Sequence, residues 1–222
     1  MKLSISKGHI FVFLLIMISG TIVSRPLLKF LPLIFFIALL IFYRVPGRIF
    51  FTRYLKYIAI LAVIFCLQFF ILGFLSFLGS INFFVKIYIA AFLFYFYKKK
   101  FKKIYLDVIY FFSIISIIFF SIFVVTGYPV SLIEYPNFHS IIVFNIKYDL
   151  NGEYIMRNCG PFWEPGAFVG YIIFAFLLYL NDLKGVYKRH KFKCSIIFVA
   201  LITTFSTTGY TLIIFIFSSL YL

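Results

Sequence analysis

The chain has 222 residues, of which 64% are hydrophobic and only 12% charged, with a mean hydropathy of +1.12. Soluble domains carry about 25% charged residues, so a sheet-based soluble core is not a serious rival to a polytopic, all-α membrane protein. The net charge of +15 is informative mainly through its distribution.

Hydropathy places seven spans near 9–24, 27–43, 57–78, 81–97, 104–126, 160–180 and 195–220, close to the roughly 20 apolar residues that cross a bilayer. They make one integral membrane domain over 1–222. The first run, Ile10 to Ile22, meets Arg25-Pro26 and a further span with no A-x-A site, so it reads as a retained helix rather than a cleaved signal. The second is short and carries Pro32, which kinks it or makes it partly re-entrant.

Sixteen of the 21 Lys and Arg residues fall in alternate connections: Lys2 and Lys7; Arg44 to Lys56; Lys98 to Lys103; and Lys184 to Lys193. The positive-inside rule puts these, and the N-terminus, on the cytoplasmic side of the membrane. A topological signal that also meets anionic lipid explains the runs better than nucleic-acid binding. Membrane lipids are therefore expected partners, and nucleic acid is not.

The long outer loop, 127–159, carries Glu134, Asp149 and Glu153, with Glu164 just beyond. Ile141–Tyr148 and Glu153–Met156 flank Asp149-Leu150-Asn151-Gly152. Asn-Gly between β-prone runs signals a small hairpin; an ordinary loop with amphipathic strands is the alternative.

That loop closes on Arg157-Asn158-Cys159-Gly160-Pro161-Phe162-Trp163-Glu164-Pro165-Gly166, with the only Trp of the chain inside it. Ionisable groups at the mouth of an apolar helix are costly and suggest a site. Arg157 offers a planar fork to phosphate or carboxylate. Glu164, just before Pro165, suits the first helical turn and could pair with Arg157 or act as a general base. Arg25, Lys29 and Lys86 are the other cations near outer boundaries, where snorkelling to headgroups is the plain reading. Of the histidines, only His139 lies on the outer side, and no pair has metal-ligand spacing. Near the middle of the last span, Thr203-Thr204-Phe205-Ser206-Thr207-Thr208-Gly209 is rich in hydroxyls, suited either to helix packing or to lining a polar cavity. No G-x-S-x-G, H-E-x-x-H or P-loop is present, which argues against a serine hydrolase, a zinc protease and an ATP-driven pump.

Arg157-x-x-Gly160-x-Phe162-x-Glu164-Pro165 entering one helix, a basic loop, then Ser206-Thr207-Thr208-Gly209-Tyr210 in the next resembles the Wzy-like oligosaccharide repeat-unit polymerases of O-antigen and capsule. The likeness runs from about 150 to 215. It implies a glycosyltransferase that joins undecaprenyl-diphosphate-linked repeat units at the outer face of the membrane, with no cofactor and no metal. Arg157 and Glu164 would be catalytic; Arg25, Lys86, His139, Trp163, Ser206 and Thr208 would bind substrate. A chain-length regulator or flippase of the same pathway is the implied partner. Such polymerases usually have about ten or more spans and a second large outer loop, so the chain resembles their N-terminal part. An inactive truncated polymerase, or a permease or lipid-linked-glycan flippase subunit, are the alternatives.

Overall fold

The computed structural model describes residues 6–20, 34–35, 37, 59–60, 63, 66–67, 70, 74–126, 133–135, 138–141, 144–147, 156–162 and 164–218. Most of the expected span 27–43, including Pro32, and much of 57–78 lie outside the described residues. The chain forms two compact units, Met1–Val23 with Lys98–Leu222, and Ser24–Tyr97.

In the second unit, helix α2 (Phe74–Tyr97) runs without a break through Gly79 and Ser80, where hydropathy divides 57–78 from 81–97. One glycine costs an interior helix only about 1 kcal/mol, too little to interrupt so apolar a run. The helix ends at Lys98, which has a φ of 44°, a conformation that commonly terminates helices.

In the first unit, α1 (Lys7–Gly20) opens on a cap. The Ser6 carbonyl accepts the His9 backbone N–H at 2.9 Å, while the His9 Nδ1 accepts the Ser6 backbone N–H at 3.2 Å. The His9 ring thus satisfies the Ser6 N–H as the Glu or Gln of a capping box would, which is one half of that motif. The central helix α3 (Lys99–Thr126) has 28 residues, roughly 42 Å of helix. Among the described residues it alone is both long and apolar enough to cross a membrane by itself. It buries Leu106, Ile109 and Phe112 and packs against α1, α4 (Pro165–Leu177) and α6 (Lys191–Thr203).

Side-chain pairs give the directions. His9 and Phe13 of α1 meet Asp107 and Phe112 of α3, so these helices are parallel. Lys193 meets Asp107 and Thr203 lies near Ser116 through Asn158, so α6 is parallel to them as well. Helix α4 runs the other way: Tyr105 contacts Phe174 at 5.2 Å, and Lys102 lies over the Tyr179 ring at 5.8 Å. After α4 come a short 3-10 turn (Leu180–Asp182) and α5 (Leu183–Arg189), bent from α4 by 56°.

The expected last span, 195–220, is two helices, α6 and α7 (Thr207–Ser218). The break falls in the hydroxyl-rich run. Thr203 and Thr204 hydroxyls bond back to the carbonyls of Ala200 and Leu201, at 2.8 and 2.6 Å, and such back-bonding bends helices. Phe205 then takes a φ of 46°. The Ser206 hydroxyl accepts the Gly209 N–H at 3.3 Å and caps α7.

Between α3 and α4 lies a four-stranded antiparallel meander, β1 (Ile133–Tyr135), β2 (Phe138–Ile141), β3 (Phe144–Lys147) and β4 (Arg157–Asn158). The expected hairpin falls only partly on described residues. Its first strand, 141–148, is divided by a reversal that pairs Ile141 with Phe144. Residues 148–155, which hold the expected Asp149–Gly152 turn and most of the expected strand 153–156, lie outside the described residues; beyond them Lys147 pairs with Arg157 and Ile146 with Asn158.

Candidate functional site

The Arg157–Pro165 segment folds as a buried turn. Cys159 and Phe162 are fully buried, and the Phe162 N–H reaches the Cys159 carbonyl at 3.1 Å. Gly160 is required twice over. Its φ is +56°, and a Cβ there would stand 2.8 Å from the buried Phe168 ring. Phe162 stacks on Tyr171 at 4.4 Å, which fastens the turn to α4.

Asn158 holds the turn to the bundle. Only 2% exposed, it uses both ends of its amide. Its Nδ2 donates to Thr203 Oγ1 at 2.9 Å and to Ser116 Oγ at 3.3 Å, and its Oδ1 accepts the Gly160 N–H at 2.9 Å. One side chain therefore ties β4 to α3, α6 and its own turn. A buried amide so fully satisfied fixes one arrangement, since misplacing it would strand polar groups in an apolar core.

The level of this turn matters. Ser116 is nine residues beyond Asp107 in α3, roughly 13 Å at 1.5 Å per residue. Thr203 is ten beyond Lys193 in α6, roughly 15 Å. The turn thus sits near the midpoint of α3. At this level α4 begins, α6 ends and α7 starts. Gly209 of α7 lies against Val169 of α4 so closely that a Cβ would come within 2.6 Å of it.

Glu164 is the N-cap of α4, with extended backbone (φ −151°, ψ 140°), and its carbonyl accepts the N–H groups of Ala167 and Phe168. Its carboxyl group makes no cap bond and lies near Gly166, where the helix dipole stabilises negative charge. Arg157 is part-buried in β4, and the Cys159 thiol donates to its carbonyl at 3.7 Å. Among the described interactions no ion pair joins Arg157 to Glu164; they stand at the two ends of the turn.

The other candidates are dispersed. Ser206 caps α7, and Thr208 is exposed in the first turn of that helix. His139 stands in β2, in register with Ile146 and so in the row of Asn158 rather than that of Arg157. Lys86 is part-buried in α2, in the other unit. Arg25 and Trp163 lie outside the described residues.

A second polar cluster lies where α1, α3 and α6 begin. Asp107 and Lys193 form an ion pair, with side chains 10% and 12% exposed. His9 Nε2 approaches the same carboxylate at 3.4 Å. Because Nδ1 already accepts from Ser6, Nε2 carries the ring proton and donates to Asp107. Lys193 also lies 5.5 Å from the Tyr110 ring centre. Nearby, burial first, then the charges of Lys193, Arg189 and Lys103, push the His190 pKa down, with Asp107 opposing. The sequence signal was Asp107 itself, an acid embedded in an apolar helix.

No protein-family model, curated protein or solved structure matches the chain.

Proposed function

We propose that the chain is a multi-pass protein of the bacterial cytoplasmic membrane that polymerises undecaprenyl-diphosphate-linked oligosaccharide repeat units at the outer face. The observation that carries this reading is the rigid turn from Arg157 to Glu164, held by Asn158 and Gly160 where α4 begins. It offers a guanidinium and a carboxylate from one fixed frame. In the step proposed, an acceptor sugar hydroxyl attacks the anomeric carbon of the donor chain. A new glycosidic C–O bond forms as the bond to the lipid diphosphate breaks. Glu164 takes the hydroxyl proton, and Arg157 stabilises the charge gathering on the departing diphosphate. The step needs no cofactor, and a chain-length regulator or flippase is the partner the resemblance implies. Helix α3 supplies a span-length apolar helix, and α4 with the bent segment after it supplies the composition of another.

The test is the glycan ladder of the host. Deletion should collapse long chains to single repeat units; wild type should restore them, and membrane-inserted Arg157→Ala and Glu164→Gln should not. An unchanged ladder after deletion overturns the reading and leaves an inactive polymerase in its place.

One observation favours a second reading, a permease or flippase subunit. The α6–α7 break faces the start of α4 at one level, and transporters build substrate sites from such discontinuous helices. Transfer of a lipid-linked oligosaccharide across proteoliposomes, without chain growth, would select it.

A further inference from the structure

The end of the first unit where α1, α3 and α6 begin is lined with cations from separate segments. Lys99, Lys100, Lys102 and Lys103 are exposed or nearly so at the start of α3. Lys184, Lys188 and Arg189 are exposed on α5, and Lys191 at the start of α6. These segments converge: Lys102 meets Tyr179, Lys193 meets Asp107, and Lys103 lies within electrostatic reach of His190. The acids nearby are already engaged, Asp182 by Arg189 at 2.5 Å and Asp107 by Lys193.

Helix stability does not explain this arrangement. Neither α3 nor α6 has an acidic residue in its first turn, and each begins on lysines. Cations at a helix N-terminus oppose its dipole. Their placement gains most from an external anion.

The shape of the segment after α4 says which anion. It bends 56° from α4. In α5, Val186 is buried while Lys184, Tyr187 and Lys188, spaced three and four residues apart, face outward. Tyr187 is 49% exposed and Phe192 69%. Beyond this basic rim, along α3 and α6, comes an exposed apolar belt that includes Ile118, Ile122 and Val199. Cations interleaved with aromatic rings, directly above an apolar belt, fit the boundary of headgroups and acyl chains.

We infer that Leu180–Arg189 is an interfacial arm which, with Lys191 and the lysines opening α3, binds anionic phospholipid headgroups selectively over zwitterionic ones. This rests on the membrane reading above but not on the polymerase chemistry. Tyr187 and Phe192 anchor the arm at the depth of the headgroups, and the lysines gather phosphates around it.

The test uses the full chain in nanodiscs of phosphatidylcholine containing spin-labelled phosphatidylglycerol or spin-labelled phosphatidylcholine. Wild type should select phosphatidylglycerol, less so in 0.5 M salt, because exposed charges are screened. Each surface cation is worth about fivefold in anionic-lipid association, so Lys184→Gln, Lys188→Gln and Lys191→Gln together should cut the preference at least about tenfold. The same three positions changed to Arg should keep it. The Lys98–Lys103 run remains in both variants to hold the orientation. No preference in wild type, or full preference in the Gln variant, overturns the arm while leaving membrane integration intact. Release of the chain from membranes by alkaline carbonate overturns the membrane reading itself. Preferential binding of an RNA oligonucleotide by the detergent-solubilised chain would make the rim a nucleic-acid face and overturn the proposal.

Discussion

Two polar clusters sit on the same pair of helices, and they are built on opposite terms. The cluster at the start of α3 and α6 is built on an ion pair, Asp107 with Lys193, to which His9 adds a hydrogen bond. The one farther along is neutral: Asn158, Ser116 and Thr203. The charged cluster joins three helices and no loop. The neutral cluster joins two helices to the turn that carries Arg157 and Glu164. Near one end of a bundle an ion pair can recover part of its desolvation cost from nearby solvent. At mid-length it cannot, and amide and hydroxyl groups are the cheaper adhesive. The charged cluster is therefore expected to carry stability, and the neutral one to carry the geometry of the turn.

The strongest way to break this contrast is Asp107→Ala. It strands Lys193 in a part-buried site, and losing one partner of a buried pair costs about 3–5 kcal/mol. Thermal unfolding in a neutral detergent measures it. The paired replacement Asp107→Leu with Lys193→Leu should recover most of the loss, since an apolar pair of similar volume is often as stable. If the double variant is no better than the single, the ion pair is not what the helices depend on. Gly160→Ala comes next. It forces a side chain into positive φ and into the Phe168 ring, for about 2–4 kcal/mol, and should reduce any Arg157-dependent activity more than a matched destabilisation elsewhere.

Asn158→Ala should cost about 1–3 kcal/mol. A double-mutant cycle with Thr203→Val sharpens the assignment, because a shared hydrogen bond should give a coupling of about 1 kcal/mol. Arg157→Ala is the contrast within the same turn. Its backbone is held by β4 and its neighbours, so unfolding should shift by less than about 1 kcal/mol while activity is lost. Similar destabilisation by Arg157→Ala and Asn158→Ala would undo the division of labour between the two residues.

The helical character was legible because long apolar runs have few other ways to satisfy their backbone. Helix α3 needs nothing beyond its hydropathy to be found. The break at Phe205 was half legible: the hydroxyl run pointed to an anomaly, but hydropathy averages over it. Arg157 and Glu164 were visible as ionisable residues framed by Gly and Pro. Asn158 was not, because its role comes from Ser116, 42 positions away, and Thr203, 45 positions away. Asp107 was visible as a residue, but its partners at Lys193 and His9 are 86 and 98 positions distant, and no local pattern encodes such a meeting. Local rules reported which residues were costly. Only the packing reported what offset the cost.

The smallest expected effect belongs to His190, at the edge of the charged cluster. Burial and the facing cations Lys193, Arg189 and Lys103 lower its pKa below the ordinary 6.5. The folded chain therefore binds this proton less readily than the unfolded chain, and stability rises with pH between the two pKa values. The contribution is complete above about pH 6.5 and is lost as the pH falls through the lowered folded value. Because His190 is part-exposed, solvent screening keeps the effect to about 1–2 °C in unfolding temperature. Wild type should lose that much more than His190→Gln between pH 7.5 and 5.5. The opposite sign would mean that Asp107 dominates the field at His190, and the Asp107–Lys193 pair would then have to be more open than its geometry indicates.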